Sequence, residues 1–277
     1  MPVTLKDKTL FISGASRGIG LAIALRAARD GANVALIAKT AEPHPKLAGT
    51  VFTAARQIEA AGRHALPIVG DIRDEPQVAA AVSQAVRRFG GIDVCVNNAS
   101  AINLSGTEAL DLKRYDLMQS INTRGTFAVS RACIPHLKQS RNPHILTLSP
   151  PISLEPRWLG PHIGYTIAKY GMTLCALGFA EEFRDAGIAS NALWPRTLIA
   201  TAAVQNLLGG DEAMAGSRKP ELYADAAYVV LTRPSRQCTG NMFLCEDVLA
   251  DEGVTDFDQY AYMRGAEPQV DLFVDHA

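Results

Sequence analysis

Near its start the chain reads Leu10-Phe11-Ile12-Ser13-Gly14-Ala15-Ser16-Arg17-Gly18-Ile19-Gly20, a short apolar run that leads directly into three glycines. The apolar run predicts a buried strand, and residues 21–29 behind the glycines have a helical pattern. Glycine permits a tight turn and lets backbone N–H groups approach a pyrophosphate at a helix N-terminus. This spacing predicts a dinucleotide-binding turn rather than an ordinary glycine-rich one. The residues expected to hold the dinucleotide here are Gly14, Ser16, Arg17, Gly18, Ile19 and Gly20.

Short aliphatic runs alternate with helical patterns along the rest of the chain. This alternation predicts an α/β protein with a doubly wound, seven-stranded parallel sheet and helices on both faces, a Rossmann fold. The predicted strands are Leu10–Ser13, Val34–Ala38, Ala65–Val69, Val94–Asn97, Ile145–Ser149, Ile188–Trp194 and Met242–Cys245. Pro67 cannot donate to a ladder, so we expect the third strand at an edge. We predict one domain over residues 1–277, with residues 247–277 as a C-terminal extension.

The composition excludes several classes of protein. Of the 277 residues, 48% are hydrophobic and 20% charged, with a formal net charge of −1, unlike a disordered tail or a minimal disulfide scaffold. No basic stripe carries aromatics, so we expect no nucleic-acid partner. No apolar stretch reaches 18 residues, and the first residues differ from a secretory signal, so we expect no membrane span and a cytoplasmic location. The five cysteines are interpreted as reduced core thiols, and the six histidines lack metal-ligand spacing, so no metal site is expected.

Further motifs follow in a fixed order along the chain. They are Asp71 after the third strand, Asn97-Asn98-Ala99 after the fourth, Asn122 in a helix, Ser149 after the fifth, Tyr165-Thr166-Ile167-Ala168-Lys169, and Pro195 after the sixth. Together with the Gly-x-x-x-Gly-x-Gly turn, they resemble the short-chain dehydrogenase/reductase family over residues 5 to 250. The resemblance implies hydride transfer with a nicotinamide dinucleotide.

Some segments have a narrower resemblance within that family. The segments are Ala38-Lys39-Thr40 with Pro43-His44-Pro45-Lys46-Leu47, Ser149-Pro150-Pro151, the stretch from Tyr165 to Met172, and Asn191-Ala192-Leu193-Trp194-Pro195. They look like the hydroxysteroid dehydrogenase-like protein 2 group, which often carries a C-terminal sterol-carrier domain. We expect no such domain in the residues up to Ala277, and therefore no lipid role by that route.

The end of the second strand indicates which dinucleotide binds. NAD enzymes commonly carry an acidic residue there, whereas this chain has Lys39 and Thr40, with Arg17 in the glycine turn. Two cations attract a 2'-phosphate that a carboxylate would repel, so we expect NADP(H) rather than NAD(H). The alternative is that Lys39 and Arg17 are solvated surface charges. The resemblance further implies that Asp71 and Ile72 hold the adenine, Asn98 and Ala99 the ribose side, and the backbone around Ile199 the nicotinamide amide.

Tyr165 and Lys169 are the candidate acid/base pair. A free phenol has a pKa of about 10, so a tyrosine that exchanges protons near neutrality needs a nearby cation. Lys169 lies four residues on, which places both side chains on one face of a predicted helix. The resemblance implies that Lys169 also binds the nicotinamide ribose. It implies, too, that Asn122 kinks its helix and holds a water leading to the lysine.

The serine of the family's site is harder to place. The family usually carries it 13 residues before the tyrosine, where this chain has Ile152. If the intervening loop holds two extra residues, Ser149 matches the first serine of the family's pair and Pro150 replaces the second. We therefore predict Ser149 as the catalytic serine and keep Ser153 as the alternative. Water or another donor in place of a serine is the third possibility.

The implied activity is NADP(H)-dependent interconversion of a carbonyl and an alcohol, with Tyr165 as acid/base. Trp158, Trp194, Leu198 and the loop from Thr201 to Ser217 are expected at the mouth of the site, where they would suit a lipid-like or aromatic substrate. Core packing is the alternative interpretation of each of these residues. The alternatives are an enoyl or dienoyl C=C reductase and an inert dinucleotide-binding regulatory module. By resemblance, helices in Leu112–Gln139 and Tyr165–Arg184 form the subunit interfaces of a homodimer or homotetramer.

Overall fold

The computed structural model describes residues 4–44 and 47–275, and it contains one seven-stranded parallel sheet in the order β3-β2-β1-β4-β5-β6-β7. The strands are β1 Thr9–Ser13, β2 Asn33–Ala38, β3 Ala65–Val69, β4 Val94–Asn97, β5 His144–Leu148, β6 Ala189–Trp194 and β7 Met242–Leu244. All seven predicted strands are confirmed to within one residue at each end. Pro67 lies on β3, the outermost strand, and is paired with Leu36 of β2, which confirms the predicted edge position.

Helices cover both faces of the sheet. They are α1 Gly18–Arg29, α2 Val51–Ala60, α3 Glu75–Phe89, α4 Leu112–Ile121, α5 Thr123–Leu137, α6 Pro156–Leu159, α7 Ile163–Glu182, α8 Ala202–Leu207, α9 Gly210–Ala215, α10 Pro220–Thr232 and α11 Cys245–Asp251. Within the described ranges, none of them is long and apolar enough to cross a bilayer.

The core consists of two apolar layers, one on each face of the sheet. Successive side chains of a strand point to opposite faces. Leu10 and Ile12 accordingly pack on the layer that holds Ile23 of α1, whereas Phe11 packs on the layer that holds Val129 of α5. All of these side chains are buried, which explains why the strands are continuous apolar runs.

The strand order reverses between β1 and β4. Ligands of doubly wound sheets bind at such a switch point, beyond the carboxyl ends of the strands. Gly14 follows β1 and Asn98 follows β4, so the topology brings the two predicted segments together at this position.

The loop expected from Thr201 to Ser217 is partly helical in the structure. It contains α8 and α9, each six residues long, which begin after Thr201 and Gly209. Leu198, expected at the mouth of the site, packs with Val204 and Ala213 beneath these helices. This segment is rich in Gly and Ala, so its sequence shows no clear spacing of large apolar residues that would predict a helix.

The chain beyond α11 returns to the carboxyl end of β6. Thr197 and Val270 form an antiparallel bridge, in which the Leu198 N–H donates to the Gln269 carbonyl and the Asp271 N–H to the Arg196 carbonyl, both at 2.9 Å. The predicted extension, residues 247–277, starts inside α11, and residues 276 and 277 lie outside the described ranges. Its last described part is therefore paired with the core of the domain.

Candidate active site

The glycine turn is packed too tightly for side chains. Gly14 has φ of 74°, and a Cβ there would lie 2.8 Å from the Cα of Ala99. A Cβ on Gly20 would lie 2.5 Å from Nδ2 of Asn98. The first turn of α1 begins at Gly18, so its unpaired backbone N–H groups face the same space.

Asn98 and Ala99 hold this turn in place. The Asn98 side-chain amide donates to the carbonyls of Ser13 and Gly14, both at 2.9 Å. The Ser13 hydroxyl oxygen accepts from the backbone N–H groups of Asn98 and Ala99, both at 3.2 Å. The side chain of Asn98 therefore supports the turn. Together with the bonds to the Ser13 hydroxyl, it holds the segment after β4 against the segment after β1.

A groove of about 1010 Å³ begins at this turn. The predicted dinucleotide residues that line it are Gly14, Ser16, Arg17, Gly18, Ile19, Lys39, Thr40, Asp71, Ile72, Asn98 and Ala99. Gly20 lies beneath the turn, against Asn98. The fold thus brings residues from four separate segments of the sequence to one continuous surface.

Ile199 lies beside this groove in a short parallel bridge with Arg218. The Ala200 N–H donates to the Arg218 carbonyl, and the Arg218 N–H donates to the Leu198 carbonyl, both at 2.8 Å. Ile199 lies between these two hydrogen bonds. In the part of the chain that the structure describes, its own N–H and carbonyl have no backbone partner. They are free to bind an amide.

Charged side chains gather at the far end of the groove. Lys39 Nζ lies 3.3 Å from Asp71, and the Arg73 guanidinium donates to both oxygens of the same carboxylate. Arg17 donates to the carbonyls of Ala48 and Gly49 at 2.8 and 2.7 Å. The hydrogen bond from Arg73, with a smaller contribution from Lys39, holds the pKa of Asp71 well below its usual range. Arg17, Lys39 and Asp71 line the groove, whereas Arg73 bonds Asp71 from outside that lining, so two cations and one carboxylate face this end of the groove.

Arg73 was missed by the sequence reading, although a basic residue two positions after the predicted adenine ligand was the available signal. Pro45 and Lys46, which belong to the segment with the narrower family resemblance, lie outside the described residues.

Tyr165 and Lys169 lie one turn apart on α7 and are buried, at 5% and 4% exposure. Lys169 Nζ donates to the Leu148 carbonyl at the end of β5, at 2.8 Å, and lies 4.8 Å from the centre of the Trp194 ring. Burial lowers the pKa of Lys169 to about 7, and the nearby carboxylate of Asp271 opposes this shift. Burial, with a smaller contribution from Asp271, raises the pKa of Tyr165 far above its ordinary value. Burial therefore shifts the protonation equilibrium of both side chains toward their neutral forms.

Ser149 is fully buried and faces Thr173, two turns after Tyr165 on α7. The Thr173 hydroxyl lies 2.7 Å from the Pro150 carbonyl and 2.9 Å from Ser149 Oγ. A carbonyl can only accept, so Thr173 donates its single proton to Pro150 and receives the proton of Ser149. In this arrangement the Ser149 proton is directed toward Thr173.

Ser153, the alternative serine, is tied to a different partner. Its backbone N–H and carbonyl both bond the Tyr170 hydroxyl, at 3.2 and 2.8 Å, and its own hydroxyl accepts from the Glu155 N–H. Among the described residues, no hydrogen bond joins Tyr165 to either serine. The predicted serine role remains a prediction.

Asn122 is fully buried at the junction of α4 and α5, where the helix is interrupted. Its side-chain oxygen accepts from the Ala101 N–H at 2.7 Å, and its amide donates to the Ala101 carbonyl at 3.0 Å. Its own carbonyl accepts from Thr126 at 3.1 Å. The side chain therefore fixes the loop after β4, between the groove and α7.

The end of the chain covers Tyr165. Phe273 has φ of 70°, a conformation that is unfavourable for a bulky residue, and its ring is surrounded by other rings. Ring centres lie 5.4 to 6.3 Å from it at Trp158, His162, Tyr165, Tyr170 and Trp194. The Trp194 indole N–H donates to the Leu272 carbonyl at 2.9 Å. The Phe273 ring thus packs beside Tyr165, of which 5% is exposed.

Asp271 brings a carboxyl group to the same place. Its backbone is held by Arg196, and one of its carboxyl oxygens accepts from the Leu272 N–H at 2.7 Å. Burial raises the pKa of Asp271, and Lys169 opposes this shift. The sequence reading missed residues 269–274, although the alternation of Val270, Leu272 and Val274 was a signal for an extended, half-buried segment.

Comparisons with known proteins agree with this architecture. The model of the short chain dehydrogenase family matches residues 8–210. Hydroxysteroid dehydrogenase-like protein 2 of Danio rerio is 58% identical over 267 residues, which are 96% of this chain and 64% of that protein. Its Homo sapiens counterpart is 54% identical over 267 residues, 96% of this chain and 63% of that protein. The chain thus spans less than two thirds of the length of these curated relatives.

A solved structure is also similar over nearly the whole chain. The crystal structure of a short chain dehydrogenase from Mycobacterium thermoresistibile has a TM-score of 0.93 and 70% sequence identity. The match covers 98% of this chain and 96% of that one. The fold, including the sheet that carries the groove and α7, is therefore shared with this protein.

Proposed function

Because the chain belongs to the short-chain dehydrogenase family of dinucleotide-dependent oxidoreductases, we propose that it interconverts a carbonyl and an alcohol with NADP(H). The observation that carries this proposal is the burial of Tyr165 beside Lys169, whose ammonium is bonded to the end of β5. β5 neighbours β4, and the segment after β4 lines the groove. The pair formed by Tyr165 and Lys169 is therefore anchored at the end of β5, next to the strand whose following segment lines the candidate dinucleotide site.

The groove suits a dinucleotide by shape and by charge. The turn around Gly14 has no room for a Cβ, and it presents backbone N–H groups and the positive end of α1 to a pyrophosphate. When bound, the dinucleotide supplies the hydride that is exchanged with the substrate carbon. Asn98 and Asn122 keep the loops around it in place, and Ile199 offers its backbone to the nicotinamide amide.

Tyr165 and Lys169 have separate roles in this proposal. Tyr165 gives its proton to the substrate oxygen during reduction and takes a proton from the alcohol during oxidation. A positively charged Lys169 stabilises the tyrosinate that forms, because opposite charges in a buried site attract strongly. Trp158, Trp194 and Phe273 surround this position with apolar surface, which supports a hydrophobic or aromatic substrate.

NADPH is expected to bind at least tenfold more tightly than NADH, a gap of about 1.4 kcal/mol. The support is the pair of cations Lys39 and Arg17, which line the groove, and the pairing of the Asp71 carboxylate with both Lys39 and Arg73. Lys39→Asp should remove most of this preference by weakening NADPH binding, because it places a carboxylate near the 2'-phosphate. Titration of nicotinamide fluorescence with both dinucleotides measures the effect.

Lys113→Asp is the matched control, since Lys113 is an exposed lysine outside the groove. It reproduces the charge reversal without touching the site and should leave both affinities unchanged. Equal affinities of the unaltered protein for NADPH and NADH would refute the NADP(H) preference.

A homodimer or homotetramer is the assembly that we propose. Exposed apolar side chains lie on the helices that the resemblance assigns to subunit contacts, and they include Leu112 on α4, Phe127 on α5 and Leu174 on α7 at 75%, 49% and 59% exposure. Burying such side chains between two copies is favourable by roughly 25 cal/mol per Å².

Phe127→Lys combined with Leu174→Lys is expected to dissociate the assembly, because the charges would be buried at the interface. Light scattering should change from a multiple of 29.7 kDa to the monomer mass. Phe52→Lys, which charges a similarly exposed ring on α2, is the control. A protein that is monomeric before substitution contradicts the proposal.

A further inference from the structure

The described site lacks an obvious second donor for the substrate oxygen. A carbonyl that becomes an alkoxide is best stabilised by preorganised hydrogen-bond donors besides the acid itself. Ser149 directs its proton toward Thr173, and Ser153 is tied to Tyr170 and Glu155. Another side chain in contact with Tyr165 is therefore of interest.

His162 lies three residues before Tyr165, at the position that precedes α7. Side chains on a helix lean toward its N-terminus, so the Tyr165 ring extends over the turn that begins at His162. The two ring centres are 6.2 Å apart, and the His162 ring is 5.7 Å from Phe273. The imidazole therefore belongs to the same ring cluster as the candidate acid.

The position of His162 is fixed by its backbone. Its carbonyl accepts from the N–H groups of Tyr165 and Thr166, at 3.0 and 3.1 Å, which closes the first turn of the helix. The residue is 5% exposed, so its ring has little freedom to reach solvent.

The imidazole has a buried nitrogen without a partner. Within the described residues, Nε2 of His162 makes no hydrogen bond. A buried polar atom in this state costs stability, and native proteins usually satisfy such atoms. This unpaired nitrogen belongs to a ring that packs among aromatic rings beside the candidate acid, so it is available to bind a polar substrate atom there.

We propose that His162 is a further catalytic residue, whose Nε2–H donates a hydrogen bond to the substrate oxygen on which Tyr165 acts. This inference rests on the proposed carbonyl–alcohol activity. It assigns to His162 the second-donor position that the family resemblance assigns to a serine. The substrate class is an aromatic or flat apolar carbonyl compound. Its oxygen would be held between Tyr165 and His162, and its carbon skeleton would pack against Phe273, Trp158 and Trp194.

The charge state of the imidazole is suited to this role. Burial lowers the pKa of His162, so the ring is neutral near pH 7. A neutral imidazole carries one N–H donor, which can be placed on Nε2 when the substrate oxygen is present. Lys169 lies one turn from Tyr165 on the same helix, and a neutral imidazole adds no repulsion to its ammonium.

His162→Phe and His162→Gln test the proposal, with NADPH and 9,10-phenanthrenequinone as the probe pair. The quinone is a flat aromatic carbonyl compound that matches the ring cluster. We expect His162→Phe to lower kcat/KM by about 10²-fold, the usual effect of removing one such donor, while the affinity for NADPH stays unchanged. His162→Gln keeps an N–H donor and should recover a measurable part of the loss.

Thermal unfolding separates this role from a structural one. His162→Phe removes an unpaired buried nitrogen and keeps a ring, so its melting temperature should equal or exceed that of the unaltered protein. A melting temperature lowered equally by His162→Phe and by His162→Gln would assign the imidazole a structural role, and it would overturn the proposal. His64→Gln, at an exposed histidine away from the site, is the control for histidine loss.

The remaining outcomes distinguish this inference from the proposed function. Equal kcat/KM for the unaltered protein and His162→Phe would overturn only the role of His162. A larger loss in Ser149→Ala than in His162→Phe would assign the donor to the serine instead. No reduction of the quinone by the unaltered protein, despite tight NADPH binding, would overturn the proposed function and the inference together.

Discussion

Replacement of Tyr165 by Phe is expected to lower kcat by about 10³-fold or more while NADPH binds as before, because a positioned acid/base group contributes about 10²–10⁴-fold. The substitution removes one hydroxyl and leaves the ring that packs on Phe273 and His162. The groove that begins at Gly14 is unaffected, since Tyr165 is not among the residues that line it.

The measurement is the initial rate of NADPH oxidation with a carbonyl substrate, together with analysis of the product. An alcohol product supports carbonyl reduction, whereas a saturated carbon–carbon bond would indicate an enoyl or dienoyl reductase. Tyr228→Phe, which removes a hydroxyl on α10, controls for the loss of a phenol. An undiminished rate in Tyr165→Phe would exclude Tyr165 as the proton donor.

The inert-module alternative gives a different result. A protein that only senses or scaffolds would bind NADPH and show no turnover before any substitution, and Tyr165→Phe would change nothing. Carbonyl turnover that depends on Tyr165 is therefore evidence against that alternative.

Gly14→Ala is expected to abolish measurable dinucleotide binding and to destabilise the fold. The left-handed conformation costs a non-glycine residue roughly 1–2 kcal/mol. A Cβ placed 2.8 Å from the Cα of Ala99 adds overpacking that typically costs about 1–3 kcal/mol. The backbone must shift to relieve this contact, and the N–H groups that would face the pyrophosphate shift with it.

Denaturant unfolding and NADPH titration measure the two effects of Gly14→Ala separately. Gly91→Ala is a matched control, because a Cβ at Gly91 meets no atom within 4 Å and its φ is not left-handed. There the same substitution should be neutral or stabilising by about 0.4–1 kcal/mol. Tight NADPH binding by Gly14→Ala would contradict the placement of the pyrophosphate at this turn.

The sheet and the groove could be predicted because their signals are local. Strands buried on both faces must be continuous apolar runs, and Pro67 marks an edge strand through its missing donor. The turn needs glycine because Gly14 has a left-handed φ, and because a Cβ on Gly14 or Gly20 would lie too close to the segment after β4. Each of these features can be recognised from a few consecutive residues.

The features that were missed depend on contacts between distant residues. The partner of Ser149 is Thr173, and nothing near Ser149 in the sequence indicates that its proton is directed there. Val270 pairs with Thr197, and Phe273 reaches Tyr165 only through this pairing. A local pattern could show that residues 269–274 are extended and half-buried, but it could not show what they cover.

The late position of residues 269–274 has a consequence for the growing chain during translation. The groove and α7 are complete before these residues are synthesised, and N-terminal elements generally fold first. Closing the long loop between Thr197 and Val270 is a late, entropically costly event. A nascent chain can thus capture its dinucleotide while Tyr165 is still open to water, and the shielded site forms only after residues 269–274 have been synthesised.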